Sequence, residues 1–149
     1  HGFGASGTDL VGLAPELCHV APRLVGRTRF IFPAAPLSLD DAGMPGARAW
    51  WHLDLDALNN AINSGEFRDQ RLVTPDGLDE ARLLLSELVE TVTSEWNLGP
   101  ERIVLGGFSQ GSMIATDVAS LPVPAVVGTA ATGRSGPGGA LAWPIGLLM

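Results

Sequence analysis

Between Gly107 and Gly111 the chain reads Gly-Phe-Ser-Gln-Gly, with an apolar run, Ile103 to Leu105, ahead of it and a stretch with helical character, Ser112 to Ala119, behind it. No other segment restricts the fold as strongly. A chain that leaves a strand and enters a helix this abruptly must hold the central residue, Ser109, in strained backbone geometry. The flanking positions must then be glycine, because a side chain would collide with the neighbouring strand or helix. Such a turn lifts the Ser109 hydroxyl onto an exposed tip near the positive end of the following helix, where developing negative charge is favoured. Ser109 is therefore the candidate nucleophile, and serine hydrolase chemistry is what it points to. The bare spacing arises easily by chance in a chain with 19 glycines among 149 residues. Its weight comes from the strand before it and the helix after it.

The opening of the chain supplies the second element, His1-Gly2-Phe3-Gly4 followed by Ala5, Ser6, Gly7, Thr8 and Asp9. A tetrahedral intermediate needs two preorganised N–H donors, one from the residue after the nucleophile and one from a glycine-rich loop after an early strand. Gln110 and Phe3 are the candidates for these oxyanion donors. Only their backbone amides would act, so their side chains are free to vary. The plainer alternative is that His1–Asp9 is a flexible end.

Four segments together carry a resemblance. They are H-G-F-G-A-S-G-T-D-L from His1, F-I-F-P-A-A-P from Phe30 to Pro36, A-W-W-H-L-D from Ala49 to Asp54, and E-R-I-V-L-G-G-F-S-Q-G from Glu101 to Gly111. In order and wording the chain resembles the phospholipase/carboxylesterase family, whose members include the acyl-protein thioesterases, from residue 1 to about residue 120. The resemblance implies an α/β-hydrolase fold, three-layered around a mostly parallel sheet. It also implies a Ser-Asp-His triad, no metal or organic cofactor, and hydrolysis of carboxylic esters, thioesters or lysophospholipids through an acyl-enzyme on Ser109.

The chain also departs from that pattern. In α/β-hydrolases the triad runs in the order Ser, Asp or Glu, then His. Residues 110–149 hold one acid, Asp117, and no histidine, while His1, His19 and His52 all precede the serine. Asp117 falls inside the helix expected after Ser109, a poor place for a triad acid. Without an imidazole to take its proton a serine hydroxyl is a weak nucleophile at neutral pH. His52, on the wrong side of the triad order, reads as a surface or packing residue.

Both ends look cut. The chain opens on His1, ahead of which the fold needs strands. After Val123 to Val127, which reads as a core strand, it becomes Gly133-Arg134-Ser135-Gly136-Pro137-Gly138-Gly139, turn-like in composition. The expectation is one partial domain over 1–149, with a hydrolase-like core at 1–128, an irregular tail at 129–149, and a sheet incomplete at both ends. A partial gene product, with a shifted reading frame near its end, is one form of this. A domain with a true tail is the other.

A net charge of −7 argues against nucleic acid or an anionic membrane as partner, since both call for a basic face. No apolar run approaches the roughly 20 residues that span a bilayer. With 46% hydrophobic and 17% charged residues there is ample material for a core. A truncated sheet would leave part of that material uncovered, so self-association is expected. Cys18 is the single cysteine, which excludes an intrachain disulfide and a thiolate zinc site. Asp40, Asp41, Asp54 and Asp56 lack a third close donor for calcium and read as caps or solvent-facing groups. With no signal peptide in view, the cytoplasm is the default compartment.

The elements alternate. Thr8 to Leu17 has a helical stripe with Thr8 or Asp9 as cap, Arg29 to Phe32 reads as a strand stopped by Pro33 and Pro36, and Leu37 to Leu53 as an excursion over the strand ends. Leu53 to Asn63 predicts a short helix. Leu78 to Trp96 predicts a long one, with Leu78, Ala81, Leu85, Leu88, Val89, Val92 and Trp96 on one face, Thr74 as cap, and Gly99-Pro100 closing it. This order implies parallel pairing with right-handed crossovers. Trp50 and Trp51, adjacent on a strand, would point to opposite sides, so one of them is expected near the surface or in a cleft, as a wall of the acyl pocket or as packing under a loop.

Two classes of function follow. One is a carboxylic ester hydrolase acting on a small-molecule ester, with its triad Asp and His outside this chain. The other is a catalytically incomplete fragment, or a non-catalytic domain that binds acyl groups or a partner chain.

Overall fold

The computed structural model describes residues 1–65 and 73–121 and the backbone of 146–148. The expected strand at Val123–Val127 and the glycine-rich run at Gly133–Gly139 lie outside the described residues.

Among the described residues there are four α-helices: α1 (Leu13–Val20), α2 (Leu55–Ser64), α3 (Leu78–Glu95) and α4 (Gln110–Ser120). Helix α1 begins later than the sequence predicts. Over residues 6–14 the backbone makes three-residue bonds, Asp9 N–H to Ser6, Val11 N–H to Thr8 and Leu13 N–H to Leu10, so tight turns replace the first helical turns. Neither Thr8 nor Asp9 caps it; Gly12 stands at the N-cap. Of its stripe only Ala14 is buried, with Leu13 and Leu17 exposed.

Helix α2 starts where Asp54 accepts the Ala57 N–H at 2.8 Å and stops at Gly65, whose φ of 68° is the left-handed stop that glycine adopts freely. Helix α3 is capped by Gly77 at φ 93°, not by Thr74. The Pro75–Gly77 turn feeds the helix, and Asp76 accepts the His52 N–H, so the start of α3 is fastened beside Trp51. The far end is closed by Asn97 at φ 49°, with Asn97 N–H on Ser94 and Leu98 N–H on Thr93. Those two bonds form a Schellman stop built on asparagine, three residues before the proline that the sequence suggests.

Helices α3 and α4 pack through one cluster: Ala81 and Leu85 from α3, Ile114 from α4, and Ala35, Trp50 and Trp51 between them. Leu78, Leu88 and Val118 close its rim. Ile114 is 1% exposed, so Ile114→Ala would cost about 2–5 kcal/mol.

The described strands form two antiparallel ladders. β1 (Phe30–Phe32) pairs with β4 (Gly146–Leu148), and β2 (Leu37–Ser38) with β3 (Arg48–Ala49), Leu37 opposite Ala49. The Leu37–Leu53 excursion is thus a small hairpin around a turn at Asp40–Ala42, and β4 falls in the stretch read as an irregular tail. Ile103 is extended, at φ −105° and ψ 134°, yet 103–105 is not a strand, because it has no ladder partner among the described residues. Val104 is accordingly 94% exposed. No helix among the described residues is long and apolar enough to cross a membrane.

Candidate active site

Ser109 stands at the N-cap of α4 with φ 51° and ψ −121°, a conformation that side chains rarely adopt. Its two glycine neighbours explain how the chain closes there. A Cβ on Gly107 would lie 2.3 Å from the Gly111 carbonyl carbon, and one on Gly111 would lie 2.7 Å from the His1 carbonyl oxygen. Both obstacles are backbone, so neither can move aside. The turn therefore packs glycine on glycine, and Ser109 itself is exposed.

The second segment of the site is the loop His1–Ala5. A Cβ on Gly2 would come within 3.2 Å of the Ser109 Cβ, so this backbone runs directly against the serine. The loop is held in three ways. Gly4 N–H donates to the Arg48 carbonyl and Arg48 N–H to the Ala5 carbonyl, laying the loop along β3. The His1 ring bridges Ala35 and Gly2: Ala35 N–H donates to Nε2 at 2.9 Å, so the neutral ring carries its proton on Nδ1 and donates to the Gly2 carbonyl at 2.9 Å. Finally, the Trp50 indole N–H donates to the His1 carbonyl at 3.0 Å, with the two rings 5.8 Å apart. The Arg48 guanidinium spans the Ala35 and Pro36 carbonyls and fixes the segment the imidazole leans on.

Gln110 is buried, and its carboxamide is engaged at both ends: Oε1 accepts from Trp50 N–H and Nε2 donates to the Trp51 carbonyl, both at 3.1 Å. Its backbone N–H and that of Phe3 have no acceptor among the described residues. Phe3 itself is half-buried against Leu39, Ala47 and Ala49.

Trp50 and Trp51 depart from expectation. Both are buried in one cluster, 3% and 6% exposed, where one was expected near the surface or in a cleft. β3 ends at Ala49 and the chain bends at the two tryptophans, which removes the strand alternation on which that expectation rested.

None of the three histidines hydrogen-bonds the Ser109 hydroxyl among the described residues. His1 has both ring nitrogens occupied, and His19 and His52 are exposed. Asp117 is engaged by Arg82 of α3, whose guanidinium is pushed above its ordinary value chiefly by that hydrogen bond. Asp40 takes the Ser38 hydroxyl at 2.7 Å and the Gly46 N–H at 2.6 Å, and Asp54 caps α2. Asp40 and Asp54 thus serve a turn and a helix end, while Asp117 joins two helices. Sequence reasoning missed the work of the His1 ring and the Gln110 carboxamide. No local signal marked either, because the partners Ala35, Trp50 and Trp51 lie far away along the chain.

A family model described as phospholipase/carboxylesterase matches residues 1–133. The chain belongs to that family. Membership brings the α/β-hydrolase fold with it. Among curated proteins, acyl-protein thioesterase 1 of Saccharomyces cerevisiae is 31% identical over 119 residues, covering 77% of this chain and 46% of that protein. Acyl-protein thioesterase 1 homolog 1 of Dictyostelium discoideum is 26% identical over 115 residues, 77% of this chain and 45% of its own length. The acyl-protein thioesterase 1 of Kluyveromyces lactis is 31% identical over 115 residues, 76% of this chain and 45% of its own length. The chain thus spans about half the length of these relatives. No solved structure matches it.

Proposed function

We propose that these residues form the nucleophile and oxyanion half of a serine carboxylic ester hydrolase. Ser109, at the tip of a nucleophile elbow, would attack the acyl carbon. The Phe3 and Gln110 amides would hold the oxyanion. An Asp and a His from outside residues 1–149 would complete the triad. The observation that carries the reading is the backbone of Ser109, φ 51° and ψ −121°, enclosed by two glycines that have no room for a Cβ. Strain of this kind, about 1–3 kcal/mol, persists only where surrounding structure enforces it, and it concentrates at working sites. The names of the relatives favour acyl thioesters or oxygen esters as the substrate class. In this reading the finer fold is a three-layered domain on a mostly parallel sheet, which the extended 103–105 segment would join only where a partner strand pairs with it. Trp50 and Trp51, buried as they are, would form the floor of the acyl site and not an open wall.

The second reading, a hydrolase-like chain without turnover, is favoured by the absence of histidine from residues 110–149. Hydrolysis of nitrophenyl butyrate separates the two. The 149-residue chain alone should turn it over weakly or not at all, and Ser109→Ala should change little, because its hydroxyl is not activated. A protein that carries this chain together with a later His and Asp should hydrolyse the ester readily and lose turnover on Ser109→Ala. An oxyanion hole and binding alone leave roughly a thousandfold acceleration over water, with most of the catalytic power gone. Failure of the longer protein would sink the enzyme reading.

A further inference from the structure

The Trp50–Trp51 bend touches both parts of the site at once. On one side its backbone is gripped by Gln110, whose Oε1 accepts the Trp50 N–H and whose Nε2 donates to the Trp51 carbonyl. On the other side the Trp50 indole N–H donates to the His1 carbonyl, two residues before Phe3. All three bonds are buried. Together with the close approach of Gly111 to the His1 backbone, they close a ring that runs Phe3, His1, Trp50, Gln110 and back.

The ring has one workable orientation. Turning the carboxamide over would set N–H against the Trp50 N–H and oxygen against the Trp51 carbonyl, so the network itself assigns the oxygen and nitrogen. An apolar side chain at 110 would leave a buried donor and a buried acceptor unpaired. Oxyanion donors that belong to the backbone have to be held to within about half an ångström by neighbouring groups, since no side chain of their own can adjust them.

We infer that the Trp50 indole and the Gln110 carboxamide are positioning residues that set the spacing between the Phe3 and Gln110 backbone amides. This rests on the reading of those amides as the oxyanion donors. Neither side chain touches the reacting atoms; each acts through the backbone it holds. The bend is the gauge between the two loops, and the buried pair of tryptophans is there to keep it dry and rigid.

The test uses the 15N-labelled chain with butyrate as the probe, a carboxylate that offers an oxyanion without requiring attack by serine. In the unsubstituted chain butyrate should shift the Phe3 and Gln110 amide resonances. Trp50→Phe keeps an aromatic ring and removes only the indole N–H and some volume. In that variant the order parameters of Gly2 and Phe3 should fall from about 0.85 to below about 0.6, with α3 amides near Leu85 unchanged. Butyrate binding should weaken about tenfold, the loss of roughly one charge-assisted hydrogen bond in one of two donors.

Gln110→Glu supplies the second measurement and stands even if Trp50→Phe does not fold. When protonated, the glutamic acid offers one donor and one acceptor in the same places; when ionised, it offers acceptors only. At a pH where butyrate is ionised but the buried glutamic acid still holds its proton, the variant should match the unsubstituted chain, and it should lose the Phe3 and Gln110 shifts as pH rises further, a step the parent does not show. A rigid Gly2–Phe3 loop with unaltered butyrate binding in Trp50→Phe, or a Gln110→Glu variant with no such step, overturns the inference and leaves the oxyanion reading standing. Butyrate that moves neither amide in the parent overturns the oxyanion reading, and this inference with it.

Discussion

Arg82 reaches across from α3 to take both oxygens of Asp117 on α4, Nε to Oδ2 at 2.5 Å and Nη2 to Oδ1 at 3.3 Å. Asp79, one turn earlier on α3, shares the same guanidinium. Asp117 is the single acid after Ser109, and its carboxylate is occupied in joining two helices. Both partners stay about one-third exposed, so solvent screens the pair. Asp117→Asn should therefore cost no more than about 1 kcal/mol, and the difference should shrink at high salt. Urea unfolding at low and high ionic strength measures this, and a salt-independent loss of several kcal/mol would refute it.

The strain at Ser109 gives a stability test independent of any activity. Glycine adopts φ 51° and ψ −121° freely, whereas alanine does not. Ser109→Gly should be more stable than Ser109→Ala by about 1 kcal/mol. Gly107→Ala, which drives a methyl group into the Gly111 backbone, should lose about 1–3 kcal/mol. Chemical denaturation ranks the three, and an alanine at 109 as stable as glycine would mean the turn is not strained.

Asp40 provides the pH dependence. The Ser38 hydroxyl and then the Gly46 N–H hold its carboxyl below the usual carboxylate range, with Arg48 adding a smaller pull. A group whose value is depressed on folding contributes stability above its unfolded value, about 3.9 for Asp, and that contribution is lost as pH falls through the folded value. The Asp40 carboxyl carbon should titrate below an ordinary Asp by NMR, and Ser38→Ala should raise its midpoint. An Asp40 midpoint at the ordinary value would contradict the hairpin geometry.

Three exposed apolar side chains flank the nucleophile turn: Val104 at 94%, Phe108 at 67% and Met113 at 60%. An extended segment without a ladder partner among the described residues, next to exposed apolar side chains, recruits other chains. Light scattering across micromolar concentrations should show association, weakened by Val104→Lys. A clean monomer throughout would exclude it.

What the sequence makes legible here follows from the range of the forces involved. The long α3 stripe, the Asp54 cap and the glycines around Ser109 are local, and periodicity or sterics exposes them. Where a neighbour in space decided the outcome, the reading went astray. Helix α3 starts at Gly77 because that turn docks on Trp51, and it stops at Asn97 by a backbone motif that asparagine can serve as well as glycine. The tryptophans are both buried because Gln110, 60 residues away in sequence, bends the chain between them. The Ile103–Leu105 run is apolar enough to be a strand, but a strand also needs a partner, and composition is silent about that. The elbow glycines and the candidate donors could be named in advance; the side chains that hold them in register could not.

The imidazole of His1 is a crosspiece, with Ala35 on one nitrogen, Gly2 on the other and Trp50 across its face. A ring so employed has no lone pair to offer an electrophile. Its 7% exposure leaves no path for one. Diethyl pyrocarbonate should label His19 and His52 in the folded chain and reach His1 only after unfolding. To such a reagent the native chain has two histidines, and the appearance of the third reports that the loop beside Ser109 has come away.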